Sequence, residues 1–116
     1  MVQDINLTRG RSYDLNLEVT DLNGNGYTLG DGEVLLFGIK KDTATEEAPI
    51  ICRAAEETGT AGFYTFHLYP EDTQDLTPGR YYYDVGLESG GNYYTIIETS
   101  VCMLMHNVTK KGDAYD

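Results

Sequence analysis

From Tyr13 to Val19 the chain changes polarity at every step: Tyr13, Leu15, Leu17 and Val19 alternate with Asp14, Asn16 and Glu18. Side chains alternate across a strand with period two and recur on a helix face about every 3.6 residues. As a strand, this segment buries one face cleanly; as a helix, it leaves half its apolar residues in water. The same period returns in Ile5 and Leu7, in Phe63 to Tyr69 with Tyr64, Phe66 and Leu68 on one face, and in Tyr81, Tyr83, Val85 and Leu87. Tyr82, Asp84, Gly86 and Glu88 share the opposite face of that last segment. Glu33 to Lys40 is apolar on both faces (Val34, Leu35, Leu36, Phe37, Ile39), which predicts a central strand. Ile50 to Ala54 and Tyr27 to Leu29 read as short strands. Tyr93 to Ile97 and Ser100 to Val108 form a last strand or strand pair, bent near Glu98.

The connections are written in turn residues. Asp21-Leu22-Asn23-Gly24-Asn25-Gly26 and Ser89-Gly90-Gly91-Asn92 both tolerate the positive φ of tight turns, and the second predicts a hairpin. Asp42 to Ala48 and Glu56 to Gly62 read as loops. Pro70 to Leu76 predicts one helical turn, with proline first and acids following. No helical period persists over a dozen residues, so there is no room for the crossover helices of a parallel sheet. About 7–8 short strands in 116 residues predict an all-β fold, an antiparallel sandwich of immunoglobulin-like type with a short helical turn near 70–76. The expected division is one domain over 1–109 and a disordered polar tail over 110–116. Tyr81 stands where immunoglobulin domains carry a corner tyrosine at the start of strand F, and Tyr83 then takes the place of the second cysteine. There is no cysteine pair between strands B and F and no strand-C tryptophan.

Charge narrows the partners. Nineteen Asp and Glu against eight Lys and Arg leave a net charge of -11. Nucleic-acid binding needs a cationic face, and anionic membranes repel this chain, so neither partner is expected. No apolar run approaches the ~18 residues of a membrane span. The N-terminus has neither a basic nor an apolar region, so no signal peptide is expected. Cys52 and Cys102 both lie in apolar runs and read as small buried hydrophobes rather than as a disulfide or a catalytic thiol.

Asp21, Asn23 and Asn25 match the first half of a calcium loop, Asp-x-Asn-x-Asn-Gly. The second half fails, because Gly32 stands where a bidentate acid belongs. The segment therefore reads as a hairpin turn, with a calcium site as the lesser alternative. His67 and His106 have no framing motif, the serines lack a nucleophile elbow, and no Cys/His metal spacing occurs. No catalytic residue and no cofactor are expected. The ten tyrosines are the best surface signal, since tyrosine combines contact area with a hydrogen-bonding tip. Tyr69, Tyr82, Tyr93 and Tyr94 are the interface candidates, while Tyr81 and Tyr83 are assigned to the core.

Several stretches resemble the N-terminal domain of phage baseplate upper proteins (BppU-type), found in phages and prophages of Gram-positive bacteria. They are Ile5-Asn6-Leu7-Thr8-Arg9-Gly10, Ser12-Tyr13-Asp14-Leu15, Thr20-Asp21-Leu22-Asn23-Gly24-Asn25 and Val34-Leu35-Leu36-Phe37-Gly38-Ile39-Lys40-Lys41. Leu68-Tyr69-Pro70-Glu71-Asp72-Thr73-Gln74-Asp75-Leu76 and Gly79-Arg80-Tyr81-Tyr82-Tyr83-Asp84-Val85 complete the set, which runs from about residue 3 to 107. The resemblance implies a β-sandwich attachment module, and here a baseplate or tail accessory subunit without the receptor-binding continuation. It implies other tail and baseplate proteins as partners, a homo-oligomer (trimer or hexamer), and a place in the virion after assembly in the host cytoplasm. The alternative is a carbohydrate- or protein-binding module of a bacterial surface protein.

Overall fold

The computed structural model describes residues 4–43 and 48–108. Two sheets pack face to face. The larger is built from β1 (Ile5–Thr8), β3 (Val34–Lys40), β4 (Ile51–Ala54), β7 (Gly79–Ser89) and β8 (Asn92–Met105), in the order β1-β8-β7-β3-β4. The smaller is built from β2 (Tyr13–Glu18), β5 (Glu56–Glu57) and β6 (Phe63–Leu68), in the order β2-β6-β5. This is the strand arrangement of an immunoglobulin-like sandwich: β2-β6-β5 correspond to B-E-D, and β8-β7-β3-β4 to G-F-C-C′. One short helix, α1 (Pro70–Thr73), links β6 to β7.

The core follows the period-two pattern. Leu35, Phe37 and Ile39 of β3, Tyr81, Tyr83, Val85 and Leu87 of β7, and Tyr64, Phe66 and Leu68 of β6 are all buried. At its centre Phe37 lies 5.7 Å from Phe66 of the opposite sheet and 5.4 Å from Tyr83 beside it, ring centre to ring centre. In immunoglobulin domains a strand-C tryptophan and an inter-sheet disulfide occupy this position; here three aromatic rings fill it. Tyr81 is the corner tyrosine anticipated from its place in β7. Its hydroxyl donates to the Thr77 carbonyl at 2.7 Å, which fastens the start of β7 to the turn before it.

Several expectations need correction. The sandwich is not wholly antiparallel, because β1 runs parallel to β8, with Ile5 beside Cys102 and Leu7 beside Leu104. Tyr27 to Leu29 is not a strand. Its backbone is taken up by a side chain: the Tyr64 hydroxyl donates to the Tyr27 carbonyl and accepts from the Leu29 N–H. The Glu56 to Gly62 loop includes the two-residue β5. Residues 92–105 form one continuous strand, and the bend near Glu98 is a β-bulge. Tyr83 pairs with Ser100 and Val85 with Ile97, so Asp84 faces both Glu98 and Thr99. Cys52 is exposed and only Cys102 is buried. β4 is an edge strand whose inward positions are Ile51 and Arg53, paired with Ile39 and Phe37, so Cys52 faces out. The expected tail over 110–116 lies outside the described residues, as does part of the 42–48 loop.

Side-chain clasps hold the loops to this frame. Gly90 and Gly91 take φ of 56° and 86° in the β7–β8 hairpin, a conformation that L side chains rarely adopt. The Glu33 carboxylate accepts from the Gly30 N–H and the Tyr27 and Ser89 hydroxyls, and these bonds hold it below the usual carboxylate range. The buried Thr73 hydroxyl accepts the Gly10 N–H at 2.8 Å, tying α1 to the β1–β2 turn. Arg53 pairs with Asp72, tying the edge strand β4 to α1.

Phe37→Ala is expected to cost about 3–5 kcal/mol in urea unfolding, through the cavity it opens between the sheets. Tyr81→Phe, which removes only the corner hydrogen bond, is expected to cost about 1 kcal/mol. Equal losses for both would contradict the central place given to the aromatic contact.

Candidate functional site

The inner face of the five-stranded sheet is the core; among the described residues no second sheet covers its outer face, where Pro49 packs over Gly38. The register assembles that face row by row. Arg80 lies beside Met103, and Tyr82 lies between Lys40 and Val101. Asp84 is beside Gly38, which is beside Cys52; Gly86 lies between Leu36 and Thr95; Glu88 lies between Val34 and Tyr93. The result is a band of apolar and aromatic side chains, with charges placed along β7.

Gly86 explains the local shape. It is buried although it points to the outer face, because the Tyr93 ring lies across it and any Cβ would overlap that ring. A glycine inside a strand often marks such a close approach. The ring is thus seated on the sheet while 55% of Tyr93 stays exposed. Burial raises the Tyr93 phenol above its usual range, with Asp84, Cys52 and Glu88 adding to the effect. Beside it a concavity of about 320 Å³ is lined by Gly38, Lys40, Pro49, Tyr82, Asp84 and Thr99. Burial also raises the Asp84 carboxyl, opposed by the nearby Lys40 charge.

The four candidate tyrosines therefore separate. Tyr82 and Tyr93 share the outer face. Tyr94 pairs with Leu87 and belongs to the opposite side of the same strand, where it is still half exposed. Tyr69 sits where β6 meets α1, with its ring 4.5 Å from the His67 ring and 5.9 Å from the Arg53 guanidinium. The sequence reading missed the Tyr93–Gly86 seat, although Gly86 in the middle of a strand was its visible sign. It also missed the Arg53–Asp72 bridge, which joins residues from separate elements.

Asp21 is the hinge of its turn. One carboxylate oxygen accepts the Asn23 and Asn25 N–H groups at 2.8 and 3.0 Å. The Asp21 N–H donates to the Asn25 carbonyl at 2.8 Å, closing the loop from the other side. An Asx turn of this kind accounts for Asp21, whose partners are the backbone groups of Asn23 and Asn25. Among the described residues, no three His, Cys, Asp or Glu side chains gather as a metal-binding group. His67 is paired with Asp14 on the outer face of the small sheet, and His106 is exposed beyond β8. No helix among the described residues is long and apolar enough to cross a membrane.

No family model matches the chain, and no curated protein matches it. Eleven chains of solved structures do. One belongs to a 1.4 Å crystal structure of an uncharacterized protein from Bacillus anthracis str. Ames, at 14% identity and a TM-score of 0.42. The match covers 87% of this chain and 84% of that one. At that level of similarity it says nothing about function.

Burial holds Cys102 as a thiol, with its pKa pushed up to about 12, while Cys52 is exposed. An aromatic disulfide reagent is expected to titrate one thiol per chain in the folded protein and a second only after denaturation. Two rapidly reacting thiols would contradict the placement of Cys102. Calcium titration is expected to leave the melting temperature where EDTA leaves it, because the Asp21 oxygen is engaged in the turn. A rise that scales with calcium concentration would restore the ion site.

Proposed function

We propose that this chain is a non-enzymatic assembly subunit that acts through protein–protein contacts, with the outer face of the five-stranded sheet as its docking surface. The observation that carries this reading is the pair Tyr82 and Tyr93 on the outer sheet face, the second ring packed over Gly86. A tyrosine whose ring is already seated loses little conformational freedom on binding, and aromatic side chains at the centre of a patch dominate interface energies. The mixed apolar and charged lining suits a protein partner, and the net charge of -11 disfavours nucleic acid and anionic membrane.

The setting proposed is a phage or prophage tail baseplate. Its support is the ordered resemblance of segments between Ile5 and Val85 to baseplate upper proteins. In that setting the partners are other tail and baseplate proteins, the assembly is three- or six-fold, and the protein resides in the virion. A second reading rests on the concavity beside Tyr82, whose lysine, aspartate and threonine rim would suit the hydroxyls of a sugar. It makes the chain a carbohydrate-binding module of a bacterial surface protein.

Tagged chain expressed in a host carrying the phage or prophage is expected to sediment with purified tails. Tyr82→Ala and Tyr93→Ala are expected to weaken that association about 30-fold each, a loss typical of a central interface aromatic, while leaving the melting temperature within a few degrees. Binding to an immobilised glycan array, lost in the same variants, with no association with particles, would replace the assembly reading with the second one.

A further inference from the structure

The charges of the outer face are sorted by position. Along β7 the outward residues run Arg80, Tyr82, Asp84, Gly86, Glu88: a cation at one end, aromatic contact in the middle and an anion at the other end. Lys40 lies beside Tyr82, on the cationic half. Glu98 stands in the bulge opposite Asp84. Asp4, whose carboxylate accepts the Val101 N–H, lies at the β1 edge of the same face. The face thus carries two of the chain's eight cations against four of its nineteen acids, a smaller acidic excess than in the chain as a whole, with its net charge of -11. The outer face of the small sheet is acidic by contrast, with Asp14, Glu18 and Glu56 at outward positions.

A surface that is basic at one end, acidic at the other and aromatic between is complementary to itself when reversed. That is the requirement of a two-fold interface, in which the same patch serves both sides. Arg80 and Glu88 lie four residues on either side of Asp84. A two-fold axis lying between the sheets and crossing the strands at Asp84 stacks β7 antiparallel on its copy. It sets Arg80 of each chain over Glu88 of the other. Lys40, one strand away and already close enough to act on Asp84, faces the two Asp84 carboxylates brought together near the axis. Tyr82, Tyr93, Leu36, Val34 and Val101 fill the centre.

Area agrees with this occupant. Five strands at a spacing of about 4.8 Å, over some seven residues of strand, give a footprint of roughly 500 Å². A face-to-face pair then hides roughly 1,000 Å², the lower limit for a specific interface. An interface of that size suits a reversible dimer.

We infer that the outer face of the five-stranded sheet binds a second copy of this chain, face to face and antiparallel, with Arg80 and Glu88 pairing reciprocally across the two-fold axis. This rests on the reading of that face as a docking surface and names a second copy of the chain as its occupant in place of another tail protein. Sedimentation equilibrium of the purified chain at physiological salt, up to several hundred micromolar, is the test. The wild type is expected to show a monomer–dimer equilibrium. Arg80→Glu and Glu88→Arg, both at exposed positions, are each expected to weaken it about tenfold or more by opposing like charges. The double variant Arg80→Glu with Glu88→Arg restores the original strength, because each reversed residue meets its reversed partner. A wild type that stays monomeric throughout, or a dimer indifferent to either single reversal, or single variants not rescued by the double, overturns the inference. If the purified chain is monomeric and Tyr93→Ala still abolishes association with tails, this inference fails alone. Loss of both results removes the docking face as well.

Discussion

The contact on which the rest of the structure depends is the meeting of Phe37, Phe66 and Tyr83. Phe66 is the small sheet's contribution, and Phe37 and Tyr83 are neighbours on the large one. All three are almost wholly buried. Aromatic rings bury more area than aliphatic side chains, and tilted ring pairs add a modest attraction of their own. Immunoglobulin domains set the spacing between sheets with a disulfide and a tryptophan. This chain has no tryptophan, and its two cysteines cannot serve, because Cys52 points outward from β4. The aromatic contact does that work by packing alone, with no demand on the redox state of the surroundings.

From that contact the outer face follows. Because Tyr81, Tyr83, Val85 and Leu87 must point inward, Arg80, Tyr82, Asp84, Gly86 and Glu88 must point outward. The inward choice is driven by burial and the outward consequence is geometric. The Gly90-Gly91 turn pairs Ser89 with Asn92 and so sets Tyr93 beside Glu88, with its ring across Gly86. The outer face is in this sense the other side of the core, ordered by the same alternation. The Tyr93 ring is seated on it because the side chain beneath is missing.

Much of the fold was legible in the chain because the strands carry their burial in period two. The central position of β3 showed in its apolar residues on both faces, the hairpin in Gly90-Gly91, and the corner tyrosine in its place at the start of β7. The parallel pairing of β1 was not legible, since four residues of alternation specify a strand and a buried face but not a direction. Tyr27 to Leu29 misled for a related reason. A short apolar stretch looks like a strand until it is known which groups take its backbone hydrogen bonds, and here Tyr64 from a distant strand takes those of the Tyr27 carbonyl and the Leu29 N–H. Cys52 misled because an apolar neighbourhood in sequence does not say which side of an edge strand faces water.

Of the candidate site, the sequence offered the tyrosines as a set, and the structure divided them. Local pattern by itself determined the strands, their buried faces, the turns and the character of the charge, because each of these depends on residues a few positions apart. Which strands became neighbours, which tyrosines came to share a surface, and how Arg80, Asp84 and Glu88 line up with Lys40 were decided only in the tertiary structure. Those relations depend on register between segments tens of residues apart, and register is set by how the whole core closes rather than by any one segment.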